Sequence, residues 1–103
     1  MSEWYILDED NKPVISKVLS AAGWLEKNPD RRKVALDKMP GDVRVSTVFL
    51  GLDHGFLASE DPILFETMIF GGPEDGYQER YKTWKEAEEG HKRALELVNP
   101  KGE

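Results

Sequence analysis

The chain has 103 residues, 39% of them hydrophobic and 10% aromatic, which supports one globular domain over residues 1–103 and excludes a disordered chain. Its net charge of −6, from 20 acidic and 14 basic side chains, disfavours non-specific binding to phosphate backbones, and the interspersed lysines and arginines argue against a DNA mimic. The absence of cysteine excludes disulfides, thiolate metal ligands and a cysteine nucleophile.

The first ten residues, "MSEWYILDED", are acidic and lack a basic region followed by an apolar run, so no signal peptide is expected. No apolar run approaches the roughly 20 residues that cross a bilayer. "EWYILDED" reads as a first strand, rich in aromatic and β-branched residues and closed by a polar turn. "VISKVLSAAGWLEKN" follows as a helix, because Val14, Val18, Ala21 and Leu25 recur at helical spacing. Ser16 is a candidate N-cap, or Pro13 a candidate first helical residue, and Asn28-Pro29 ends the helix.

"RRKVALDKM" is read as a short strand, and "PGD" at 40–42 as a turn. "VRVSTVFLGL" carries the clearest strand pattern, with Val43, Val45, Thr47 and Phe49 on one face and Arg44, Ser46, Val48 and Leu50 on the other. "ILFETMIF" is its natural antiparallel partner. The connection over 51–62 is long for a hairpin, where two to five residues is usual, roughly. "GGPEDG" breaks the chain again, and "YQERY" is a candidate short edge strand.

"TWKEAEEGHKRALELV" is the last helix, opened by a capping box at Thr83 and Glu86, with Trp84, Ala87, His91, Ala94, Leu95 and Val98 on one stripe. The expected architecture is therefore α+β in the order β-α-β-β-β-α. It is a mainly antiparallel, two-layer sheet of about four strands with two helices on one face. The opposite face would carry Val48, Leu50, Leu64, Met68 and Phe70, an apolar patch of the kind that marks self-association or a partner.

The segments "EWYILDED", "GDVRVSTVFLGLDH", "LFETMIFGGP" and "RYKTWKEAEEGH" together resemble a family of small, uncharacterised proteins from tailed phages and prophages. That resemblance covers most of the chain and brings no catalytic residues with it. It implies expression in the cytoplasm of a bacterial host cell and an accessory role there, such as binding a host factor in host takeover or counter-defence.

Candidate site residues cluster in two places. In "GLDHGF", Asp53 and His54 sit between glycines, and a carboxylate beside a histidine is the material of a general base. Phe56 and Trp24 are aromatic anchors on offer to a partner. In "GGPEDGYQERY", Gly71 and Gly72 allow close backbone approach, Arg80 suits a phosphate or carboxylate, and Tyr77 and Tyr81 suit stacking. Glu66 lies within an apolar strand, where alternation predicts exposure and pairing with Arg44 across the sheet. "DRRK" at 30–33 is the one basic cluster, read as a solvated strand start. No metal-ligand spacing and no nucleotide-binding fingerprint is present, so neither a metal nor a cofactor is expected.

Three functions compete on these residues. The favoured one is a non-enzymatic interaction module for a bacterial host protein or a second copy, without nucleic acid or membrane as partner. The others are a small-ligand or nucleotide binder built on Arg80, Tyr77, Tyr81 and His54, and a hydrolase built on Asp53, His54 and Glu66.

Overall fold

The computed structural model describes residues 3–53 and 62–98. Strand β1 (Trp4–Leu7) pairs antiparallel with β2 (Pro13–Ser16), and helix α1 (Val18–Lys27) and the single turn α2 (Pro29–Arg32) follow. Strands β3 (Lys33–Met39), β4 (Val43–Phe49), β5 (Phe65–Phe70) and β6 (Gln78–Tyr81) come next, and α3 (Trp84–Val98) closes the fold. The four later strands form one antiparallel sheet in the order β3-β4-β5-β6, a meander in which every neighbour in space is a neighbour in sequence.

The α+β class is as the sequence predicts, but the order of elements is β-β-α-α-β-β-β-β-α. The expected helix start at Val14 is corrected: Pro13–Ser16 is a strand, and α1 begins at Val18 with Lys17 as N-cap and no side-chain cap. The turn explains this. Asp8 Oδ1 accepts hydrogen bonds from the amides of Asp10 and Lys12 at 2.8 and 2.9 Å, and Asn11 takes a left-handed φ of 62°. That closed turn folds the next residues back on β1, and β-branched Val14 and Ile15 suit an extended chain better than a helix. The first strand therefore belongs to a separate hairpin, and β6 supplies the fourth strand of the main sheet.

Alternation decides which side of the meander is buried. Val43, Val45, Thr47 and Phe49 of β4 and Phe65, Thr67 and Ile69 of β5 are all buried. Helix α3 packs on that face with Ala87, Gly90, His91 and Ala94. Its start follows the expected capping box: Thr83 Oγ1 accepts from the Glu86 amide at 3.1 Å, and Glu86 reaches back to the Lys82 amide. Gly90 is required there, because a Cβ would fall on the Tyr81 hydroxyl.

Helix α1 does not cover the sheet as a second layer element. It lies along β1 and reaches the core at one end, where Trp24 meets Phe49 edge-on at 6.0 Å between ring centroids. Phe49, Phe65 and Trp84 continue the aromatic contact line. Leu64 belongs to this buried cluster and not to the open face where the sequence pattern put it. Its amide donates to the Tyr81 carbonyl, which ties it to the β6 side just before β5 begins.

Candidate functional site

The buried face holds a polar rib that crosses the whole sheet. Asp37 on β3 accepts a hydrogen bond from His91 Nε2 at 2.7 Å, and His91 Nδ1 lies 2.7 Å from Thr47 Oγ1 on β4. Thr47 is paired directly with Thr67 on β5, with 2.5 Å between hydroxyls, and Tyr81 on β6 reaches Thr67 at 3.0 Å and Glu79 at 3.1 Å. In the tautomer with Nε2 donating to Asp37 and Nδ1 accepting, every hydroxyl hydrogen points the same way: Tyr81 to Thr67, Thr67 to Thr47, Thr47 to Nδ1. Tyr81 then has no second hydrogen for Glu79, which takes one from Tyr77 at 3.0 Å and an ion pair from Arg93 at 3.2 Å. Burial pushes the Tyr81 phenol up to about 12, with Glu79 adding to the effect and the Thr67 bond opposing it.

An aspartate, a histidine and a hydroxyl in line resemble a nucleophile relay, but Thr47 is fully buried under α3 and His91 is only 4% exposed. No substrate reaches that hydroxyl. Among the described residues no buried side-chain polar atom lacks a partner, so the rib is complete as it stands. Its work is to let polar groups occupy a core at little cost and to fix the register of helix on sheet.

The predicted site residues do not converge. Arg80 and Tyr81 are neighbours in a strand and point to opposite faces: Arg80 is exposed and bonded to Glu66 at 2.9 Å, while Tyr81 is in the core. Tyr77 is half-buried against Glu79. Gly71 and Gly72 have φ of 89° and 73°, and a Cβ on them would meet the Asp42 carbonyl oxygen and the Val43 side chain. They bring two turns together, and the Gly71 amide donates to Asp75. Trp24 is half-buried between Phe49 and the Arg31 guanidinium, which lies 5.5 Å from its ring.

Asp53 Oδ1 accepts from the Ile63 amide at 2.9 Å, so it closes the base of the long connection. His54 and Phe56 lie outside the described residues. Glu66 is on the open face, but its partners are Arg80 and Gln78, not Arg44. The strand register explains the correction: Arg80 is directly opposite Glu66, while Arg44 is opposite Phe70. Of "DRRK", Asp30 and Lys33 are solvated and Lys33 starts β3 as expected, but the two arginines are engaged. Arg31 donates to the Asp8 carbonyl at 2.5 Å and Arg32 to the Phe49 carbonyl at 3.3 Å, so the cluster clamps the hairpin turn and the end of β4.

What remains uncommitted is the open face. Leu36, Lys38, Arg44, Ser46, Val48, Glu66, Met68, Phe70, Gln78 and Arg80 share it by register. Leu36 and Phe70 are exposed, Val48 and Met68 half-buried, and no described helix packs on them. Leu36 is an apolar member the sequence pattern missed, because β3 alone shows weak alternation. Among the described residues no cluster of carboxylates and histidines is arranged to hold a metal ion, and no helix is long and apolar enough to cross a membrane. No family model, curated protein or solved structure matches the chain.

Proposed function

We propose that this protein is a non-enzymatic interaction module that binds a host protein in a phage-infected bacterium through the open face of the β3–β6 sheet. One contrast carries the proposal. Among the described residues the polar groups under α3 satisfy one another, whereas on the other face Leu36 and Phe70 are exposed and Val48 and Met68 half-buried, with no described helix over them. Apolar side chains gathered on one side of a sheet gain roughly 25 cal/mol for every Å² that a partner removes from water. The bacterial setting and the accessory role follow from the resemblance of four segments to small phage proteins.

The test is site-specific photo-crosslinking in bacterial cells. A crosslinking residue at Leu36 or Met68 is expected to give one discrete adduct, and one at Glu89 on the exposed side of α3 is expected to give none. Adducts from Glu89 equal to those from the sheet, or none from either sheet position, would reject the proposal.

A further inference from the structure

The open face reverses the charge of the protein. Among the described residues it carries Lys33, Lys38, Arg44 and Arg80 against the single carboxylate of Glu66, in a chain of net charge −6. Arg80 is neutralised by Glu66 and Lys33 lies 3.8 Å from Asp30. Lys38 and Arg44 are not neutralised. They stand directly opposite each other across β3 and β4, both exposed, and among the described residues neither has a carboxylate partner. Like charges in that position destabilise a sheet. Arg44 lies over the Phe70 ring, 5.0 Å from its centroid, and among the described residues Asp42 in the adjoining turn forms an ion pair with neither cation. A hollow of about 220 Å³ opens beside them, lined by Lys38, Met39, Asp42, Val43 and Arg44.

Building on the interaction reading above, we infer that the partner's docking segment is an acidic amphipathic peptide. Its carboxylate sits between Lys38 and Arg44, and its apolar side chains lie on Phe70, Met68 and Leu36. The charge of the face selects an anion, and the aliphatic side chains beside the cations select a polypeptide. The footprint sets the size. Four strands spaced at about 4.8 Å and up to seven residues long give a projected area of roughly 400 Å². One amphipathic helix about 10 Å wide, laid along the strands, covers roughly half of it. A second copy docking through the same face would bring only Glu66 as a carboxylate among the described residues of that face, and Glu66 is already paired with Arg80. Single-stranded nucleic acid would find one exposed ring, already beneath Arg44, on a protein that repels phosphate overall.

The experiment titrates the whole protein with three probes: a synthetic amphipathic peptide of glutamate and leucine, its lysine-for-glutamate counterpart, and a single-stranded DNA oligonucleotide. Amide shifts locate the site and fluorescence anisotropy gives the affinity. The acidic peptide is expected to shift Leu36, Arg44 and Phe70 and to bind more weakly as salt rises. The double variant Lys38→Glu with Arg44→Glu should weaken it about tenfold, Lys38→Gln with Arg44→Gln less, and Lys85→Glu with Lys92→Glu on α3 not at all. The inference is overturned if the acidic peptide does not bind, if it maps elsewhere, if both charge variants bind it undiminished, or if the basic peptide or the DNA binds as tightly. The crosslinks from Leu36 and Met68 are read separately. Adducts there with any of those results leave the interaction module standing and remove only its acidic partner.

Discussion

The two faces of one sheet, built from alternate residues of the same strands, follow opposite rules. Under α3, the polar side chains are bonded in line from Asp37 to Tyr81, and the apolar ones are sealed by the helix. On the other side, Lys38 stands opposite the like charge of Arg44, and Leu36 and Phe70 meet water. The comparison teaches that the covered face was settled by folding alone, whereas the open face still carries costs that a partner can relieve. Substitutions should therefore hurt on one face and be harmless, or help, on the other.

Phe49→Ala should be the most damaging, at about 3–5 kcal/mol, because it empties the centre of the aromatic line between Trp24 and Phe65. Urea unfolding measures it, and a loss below 1 kcal/mol, roughly a surface value, would break the assignment of that face as core. Thr47→Val keeps the shape but leaves His91 Nδ1 without its hydroxyl, at a cost of about 1–3 kcal/mol by the same assay. A neutral result would mean that the rib contributes no stability.

The Tyr81 phenol gives a pH signature. Its folded value of about 12 exceeds the unfolded 10.0, so the stability it contributes is fully present below pH 10 and is lost as pH rises through 12. Tyr81→Phe should flatten that alkaline decline in denaturant midpoints. Tyr5 and Tyr77 are shifted in the same direction and will leave part of the slope in place. Gly71→Ala should cost about 1 kcal/mol or more, since the residue has φ of 89° and its new Cβ would lie 2.5 Å from the Asp42 oxygen. The smallest effect has the opposite sign. Lys38→Glu turns a repulsive cross-strand pair into an attractive one and should stabilise the free protein by about 0.2–1 kcal/mol.

Much of this comparison was legible in the residues. The alternation of "VRVSTVF" assigned Val43, Val45, Thr47 and Phe49 to one face, and the helical stripe placed His91 toward it. A threonine on an apolar strand face and a histidine on an apolar helix stripe each need a buried partner, and the fold gives them to each other. The Lys38–Arg44 pair was also readable in principle, since "KMPGDVR" is symmetrical about its three-residue turn. Other features lay beyond local pattern. Helical spacing from Val14 competed with a turn built by Asp8 and Asn11, and the turn prevailed through hydrogen bonds that no periodicity reveals. The partner of Glu66 depended on which strand lay beside β5, and so on counting "QERY" into the sheet. Arg31 gave no signal at all, because its acceptor is a backbone carbonyl 23 residues away.

That guanidinium has a mechanical consequence. It touches the hairpin turn at Asp8 and Asn11 and the α1 indole at Trp24, while the hairpin's other described ties to the meander are the Leu7 side chain, buried in the core with Phe49 and Phe65, and backbone bonds near Gly51 and Asp53. The N-terminal ribbon is thus hung on a latch at one end and a short seam at the other. Amide hydrogens of β1 should exchange with solvent through excursions in which this ribbon swings free while β4 and β5 stay closed, and withdrawing Arg31 should quicken the first class of exchange without touching the second.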